Sequence, residues 1–133
     1  MKNIYRIISG TLMIVLLVAG CSKDENNPTD AGSGGNAISI TVSAGTTPQY
    51  SWSGGNVYSI SIVRTSNPGT IVWGLASPGQ NAITSPVTHG TGASLVPLIT
   101  ETATTERTLT SGVQYRVTIS RLDGTTGWKE FTP

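Results

Sequence analysis

Residues 109–120 read Leu-Thr-Ser-Gly-Val-Gln-Tyr-Arg-Val-Thr-Ile-Ser, and this stretch decides the fold. Beyond Gly112, apolar residues occupy every second position: Val113, Tyr115, Val117 and Ile119. Successive side chains of a β-strand point to opposite faces, so this period of two predicts a strand with one face turned to a core. Gly112 marks the turn into the strand, because glycine adopts backbone conformations that other residues avoid.

The same period recurs through the rest of residues 37–133. Further strands are predicted at Ala37–Ser43, Pro48–Ser53, Val57–Arg64, Thr70–Trp73, Arg107–Thr110 and Trp128–Thr132, with an extended piece within 82–89. Asn67-Pro68-Gly69 is expected to turn the chain, and Leu122–Gly127 is expected to form a hairpin loop. Residues 90–106 carry no clear pattern, and no segment has the sustained 3.6-residue period of a helix. About seven short strands favour an antiparallel β-sandwich.

One run of residues makes this expectation sharper. Leu109-x-x-Gly112-x-x-Tyr115-x-Val117 resembles the corresponding run of fibronectin type III domains. The resemblance implies that Leu109 ends one strand, Gly112 makes the corner, and Tyr115 opens the next strand with its hydroxyl bonded back to the corner backbone. It also implies that Trp52 is the core tryptophan of the second strand. The alternative is a glycine turn between two unrelated strands.

The fold expected for residues 37–133 is therefore all-β, an immunoglobulin-like or fibronectin type III-like antiparallel sandwich. Residues 82–106 depart from the family pattern, which leaves the connection there open.

The first 20 residues have the pattern of a secretory signal peptide. Lys2 and Arg6 precede an apolar run from Ile7 to Ala19. This run is too short for a bilayer-spanning helix, which needs roughly 20 residues.

Val18-Ala19-Gly20-Cys21 resembles the lipobox of bacterial lipoproteins. The resemblance implies cleavage before Cys21, a diacylglycerol on its thiol and an acyl chain on the new amino terminus. Two or three acyl chains hold a protein firmly at a membrane, so the membrane is an expected partner. The alternative is an ordinary secretory signal followed by a chance cysteine.

Residues 21–36 are expected to be a disordered tether, because Gly, Ser, Asn, Asp and Pro dominate a stretch without large aliphatic side chains. Ser22 is not the Asp of an inner-membrane retention signal. Lys23-Asp24-Glu25 resembles the signal that exports some lipoproteins to the outer face of the outer membrane. The expected location is the outer membrane, exposed at the surface, with a periplasm-facing position as the alternative.

The composition excludes several classes of function. Charged residues make up 11% of the chain, and removing residues 1–20 with Lys2 and Arg6 changes the net charge from +1 to −1. A nucleic-acid partner is not expected, because such binding needs clustered Lys and Arg. One Cys and one His, His89, exclude cysteine-rich and two-histidine metal sites. The scarcity of acids, bases and nucleophiles predicts no catalytic residues, no cofactor and no enzyme.

The chain has three tryptophans, each of which is a candidate binding residue. Trp52 and Trp73 are expected in the core, whereas Trp128 follows the hairpin loop and is the best candidate for a contact site, with Arg121 and Asp123 as polar neighbours. The alternative for Trp128 is burial at the edge of the sandwich. The expected function is a non-catalytic, lipid-anchored module that binds protein or glycan. The alternative is a structural accessory subunit of an envelope complex with no ligand of its own.

Cys21→Ser is expected to release the protein from membranes and to leave the signal peptide uncut, because the thiol is the predicted site of lipid attachment. Membrane fractionation and the size of the processed chain measure both effects. A variant that is still cut normally and still sediments with membranes contradicts the lipoprotein prediction.

Overall fold

The computed structural model of the chain describes residues 38–91 and 98–133. The predicted signal peptide, Cys21 and the tether lie outside the described residues. In the part of the chain that is described, no helix is long and apolar enough to cross a membrane.

Regular structure in these residues consists of eight strands in two antiparallel sheets. The strands are β1 Ile40–Val42, β2 Gln49–Trp52, β3 Ser59–Arg64, β4 Asn67–Ala76, β5 Val87–Thr88, β6 Thr100–Thr104, β7 Tyr115–Ser120 and β8 Thr126–Phe131. The smaller sheet has the order β1-β2-β5 and the larger one β6-β4-β3-β7-β8. The expected all-β sandwich is confirmed.

Strand β7 lies between β3 and β8 in the larger sheet. Tyr115, Val117 and Ile119 are fully buried, and the residues between them are half-buried, as the alternation predicted. Ile60 and Ile62 of β3 complete this buried face. The apolar face of the larger sheet therefore forms one wall of the core.

Aromatic rings join the two sheets across the core. Tyr50 of β2 stacks on Trp73 of β4 with ring centroids 6.2 Å apart, and it meets Phe131 of β8 edge to face at 5.9 Å. Trp52 and Trp73 are both buried, as expected. Aromatic pairs of this kind stabilise a fold by about 0.5–1.5 kcal/mol each beyond the area they bury.

Gly127 allows the first strand to pack against the edge of the larger sheet. A Cβ atom at this position would lie 2.5 Å from the carbonyl oxygen of Ile38 and 2.9 Å from the Ile38 Cβ. The backbones therefore approach each other more closely than any other residue type permits, which explains a glycine inside a strand.

Two sequence predictions about strand limits are wrong. The turn after β3 lies at Thr65 and Ser66, and Asn67-Pro68-Gly69 begins β4 instead of turning the chain. Residues 107–110 form no strand; the sixth strand is Thr100–Thr104, within the stretch that showed no pattern. The physical reason is that β6 is an edge strand of Thr, Glu and Ala with no fully buried side chain, so it has no hydrophobic period to detect.

Leu109 consequently does not end a strand. Its side chain is 2% exposed, and its backbone N–H donates to the carbonyl oxygen of Thr46, 2.8 Å away. It anchors an irregular segment between β6 and β7 to the turn between β1 and β2. Burial of this Leu is consistent with the sequence pattern, but the strand end that the family resemblance implied at Leu109 is absent.

The corner before β7 is built around the Tyr115 hydroxyl. The hydroxyl oxygen accepts a hydrogen bond from the Thr110 N–H at 3.0 Å and donates to Glu106 Oε2 at 2.7 Å. Gly112 has a φ of 78°, in the left-handed region that favours glycine. Tyr115 itself is fully buried, so both bonds lie where water cannot replace them easily.

Tyr115→Phe is expected to lower the free energy of unfolding by about 1–2 kcal/mol, because it removes one acceptor and one donor from partly buried partners. Urea denaturation at neutral pH measures the loss, and Tyr58→Phe, on a half-buried tyrosine outside the corner, is the matched control. An unchanged midpoint for Tyr115→Phe would falsify a stabilising role for the corner.

Candidate functional site

Trp128 lies on strand β8, directly opposite Thr118 of β7. Its partner Thr118 lies between the buried residues Val117 and Ile119, and successive side chains of a strand point to opposite faces. Trp128 therefore points away from the core, onto the solvent side of the five-stranded sheet. We call this side the outer face. The Trp128 side chain is half-buried, which leaves part of the indole exposed.

The indole is held by charged neighbours. The guanidinium carbon of Arg116 lies 4.4 Å from the centroid of the Trp128 ring. Arg116 also forms an ion pair with Glu130 at 2.5 Å, and the second oxygen of Glu130 accepts a hydrogen bond from Gln114. A cation over an aromatic face is attracted by the ring quadrupole, so this set of contacts fixes the orientation of the indole.

The outer face around Trp128 carries several hydroxyl groups. Five Ser and Thr residues occupy outward positions of β3, β7 and β8: Ser59, Ser61, Thr118, Ser120 and Thr126. Ser61 is opposite Gly74 of β4, where a Cβ atom would lie 2.8 Å from the Ile60 carbonyl oxygen. The Thr102 hydroxyl oxygen lies at the same distance from that Cβ position, so the Thr102 side chain covers Gly74 and the row from Trp128 ends there.

Arg121 and Asp123 do not share this face. Arg121 donates to the backbone carbonyl oxygens of the β2–β3 loop, at 2.7 Å to Ser53 and 3.3 Å to Asn56. Asp123 Oδ1 accepts the Thr125 N–H at 2.8 Å, and this hydrogen bond lowers the pKa of Asp123. The three predicted contact residues are thus divided between the outer face and one end of the sandwich.

That end, which we call the loop end, consists of residues 53–56, 78–82 and 121–125. Arg121 connects residues 121–125 to residues 53–56. The Leu122 N–H donates to Asn81 Oδ1 at 3.1 Å, which connects residues 121–125 to residues 78–82. The described chain also enters at this end, since Ile40 pairs with Trp52 and the Ser53 N–H donates to Ser39. The loops here are held together by hydrogen bonds, with Leu122 51% exposed.

The single histidine lies in the core. His89 is 1% exposed, and its Nε2 lies 2.8 Å from the carbonyl oxygen of Glu106. A carbonyl only accepts, so Nε2 carries the proton and Nδ1 accepts from the Tyr50 hydroxyl at 2.9 Å. Burial lowers the pKa of His89 from its ordinary value, which favours this neutral form.

Glu106 is the centre of the same network. Arg64 Nε donates to Glu106 Oε1 at 2.7 Å, and the Tyr115 hydroxyl donates to Oε2 at 2.7 Å. Burial acts to raise the pKa of Glu106, but the hydrogen bonds from Arg64 and Tyr115 hold it below its ordinary value. The sequence did not reveal this cluster, because His89, Arg64 and Glu106 are far apart along the chain.

Every glutamate among residues 38–91 and 98–133 is engaged in an ion pair. Glu101 pairs with Arg107 at 2.8 Å and also accepts from the buried Trp73 indole N–H at 3.2 Å. Glu106 and Glu130 pair with Arg64 and Arg116. In this part of the chain no group of three or more His, Cys, Asp or Glu residues is arranged to hold a metal ion. These acids hold the fold together, and the partly exposed Trp128 remains the best candidate for an external contact.

Comparisons of the chain with protein-family models, with curated proteins and with solved structures found no match.

The stability of the protein is expected to decrease as the pH falls below 6.5, the ordinary pKa of histidine. The pKa of His89 is lower in the folded than in the unfolded state, so the unfolded chain takes up the proton first and gains free energy from it. The low pKa of Glu106 has the same sign and acts below 4.5, its ordinary value.

Urea midpoints of the wild type and of His89→Gln between about pH 7 and 5 test the first window, since glutamine retains a donor and an acceptor but does not titrate. The pH dependence should be shallower in the variant. Identical curves for the two proteins contradict a contribution from His89.

Proposed function

We propose that this protein is a lipid-anchored module of the cell envelope, attached through Cys21, that binds a protein or glycan partner without catalysis. Its binding surface is the outer face of the five-stranded sheet. The observation that carries this proposal is the partly exposed Trp128, stacked under the Arg116 guanidinium at 4.4 Å.

Preorganisation supports the assignment of Trp128 as an anchor. Tryptophan and arginine are the residues that most often carry binding energy, and a side chain already fixed in position loses little entropy when a partner binds. The ion pair of Arg116 with Glu130 fixes the guanidinium in turn. A stacked pair of this kind is not required by the core, because both side chains lie on the solvent side of the sheet.

The direction of the chain also favours the outer face. A tether of the predicted composition, residues 22–36, has a root-mean-square reach of about 20 Å. It would join the sandwich beside the loop end, since Ile40 pairs with Trp52 there. A tether that joins the domain at the loop end leaves the outer face uncovered and open to partners.

A non-catalytic role is supported by the use of the titratable side chains. His89 is almost completely buried with both ring nitrogens bonded, and Glu106 is bonded through both carboxylate oxygens. Groups committed in this way are poorly placed to exchange protons with a substrate.

Trp128→Ala is expected to abolish capture of the partner from a detergent-solubilised envelope fraction of the producing cell, while the melting temperature stays within a few degrees. Leu122→Ala removes a more exposed apolar side chain at the loop end and is the matched control. It should leave capture unchanged.

The two roles of Trp128 separate in this experiment. A side chain needed by the core costs about 3–5 kcal/mol on truncation. A melting temperature lowered by more than roughly 10 °C, at several degrees per kcal/mol, therefore contradicts the anchor role.

A further inference from the structure

We infer that the ligand of the outer face is an uncharged polysaccharide chain, which lies across the strands with one sugar ring against Trp128. This inference rests on the proposed binding function and adds the chemical class of the ligand. It is carried by the charge, the hydroxyl groups and the shape of the surface around the indole.

The charge of the surface is balanced. On β3, β7 and β8 the outward positions hold two charged residues, Arg116 and Glu130, and these neutralise each other at 2.5 Å. An anionic polymer would have to compete with Glu130 for the guanidinium, and it would meet the carboxylate as a like charge. A neutral ligand meets neither obstacle, because it can use the pair as a fixed donor and acceptor without separating it.

The hydroxyl groups are free to bind. The side chains of Ser59, Ser61, Thr118, Ser120 and Thr126 form no hydrogen bond to any described residue. Each offers one donor and two acceptor positions. Saccharides carry both functions on every hydroxyl, so a row of such groups matches the rim of a sugar ring.

The indole matches the rest of the sugar. A pyranose ring presents C–H groups on its faces, and the face of an aromatic ring is electron-rich. Arg116 covers one face of the half-buried Trp128, so a sugar would contact the part of the ring that stays exposed, next to Thr118 on the neighbouring strand. One ligand can therefore stack on the indole and reach the hydroxyl groups of the adjacent strands at the same time.

The shape of the surface favours a chain over a single sugar. The row Trp128, Thr118, Ser61 and Gly74 crosses four strands, about 14 Å at the usual strand spacing. At the far end of the row the Thr102 hydroxyl oxygen covers Gly74, since it lies 2.8 Å from the position a Cβ atom would take there. A strip of this length exceeds one sugar ring, which suits an extended oligosaccharide.

A protein partner is disfavoured on the same surface. The centre of a protein interface is usually apolar and low in charge. On the described outer face, the exposed large apolar side chain is Ile71 of β4, which is 40% exposed. It lies opposite Val63 of β3, and Val63 separates it from Arg116 and the ion pair. The area around Trp128 itself carries hydroxyl groups.

Affinity electrophoresis of the full chain in detergent tests the inference, with gels that contain a neutral polysaccharide (dextran, mannan or xylan) or the anionic polymer heparin. At least one neutral polysaccharide should retard the wild type, and heparin should not. Trp128→Ala should lower the affinity for that polysaccharide, measured from the retardation, about tenfold or more, as expected for an anchor residue. Thr118→Val should weaken it by about threefold to tenfold through the loss of one hydroxyl.

Leu122→Ala at the loop end is the matched control and should bind like the wild type. Trp128→Phe retains an aromatic face and should keep part of the affinity, so a general folding defect is distinguished from loss of stacking.

The outcomes separate this inference from the proposed function. Retardation by heparin alone, or by neutral polysaccharides to the same extent in all variants, overturns the inference. If no neutral polysaccharide binds while Trp128-dependent capture of an envelope protein persists, the inference is wrong and the proposed function stands. Loss of both kinds of binding overturns both.

Discussion

A phenol hydroxyl that lies inside the core must form hydrogen bonds there, and the hydroxyl of Tyr115 forms two at the corner before β7. The Tyr115 side chain fills the core, and its hydroxyl finds the Thr110 N–H and the Glu106 carboxylate at the end of the strand. A buried hydroxyl without partners costs about 1–3 kcal/mol, so the segment before β7 is held in place by this requirement. Through Glu106, the same contact positions Arg64 and the irregular residues that precede the corner.

Glu106 also connects the two sheets. Its N–H donates to Val72 of β4 in the larger sheet, while its carbonyl oxygen accepts from His89, which follows β5 of the smaller one. His89 in turn accepts from Tyr50 of β2. A domain with few aromatic residues and short strands therefore adds a polar connection to its apolar core. Such a network is stabilising only while every member is bonded, so it favours one arrangement of the core. It is also sensitive to acid, because His89 and Glu106 are members of it.

The two faces of the larger sheet differ in their surroundings. The inner face is occupied by Tyr115, Val117 and Ile119 and is closed to ligands. The outer face carries the stacked pair of Trp128 and Arg116 on a surface of small hydroxyl residues. Because strand residues alternate between the faces, the core fixes the backbone under the proposed binding surface without using its side chains. This separation lets the outer face vary in sequence with little effect on the fold.

Strand β7 and the sandwich architecture could be predicted from the sequence, because a period of two is a local record of which face is buried. The burial of Trp52 was expected from the family resemblance. Trp73 is buried although Ile71, two positions earlier, is exposed, since the pairing of β3 with β4 shifts in register between them. The sequence identified Trp128 as the contact candidate and placed Arg121 and Asp123 beside it. The fold divides these residues between two places, because Trp128 lies on the face of a strand, whereas Arg121 and Asp123 lie in the loop before it and bond to backbone groups there. The edge strand β6, the turn at Thr65 and the bonds of His89 with Tyr50 and Glu106 also needed the fold. Polar edge strands leave no hydrophobic period, and hydrogen bonds between distant residues leave no pattern in a single sequence.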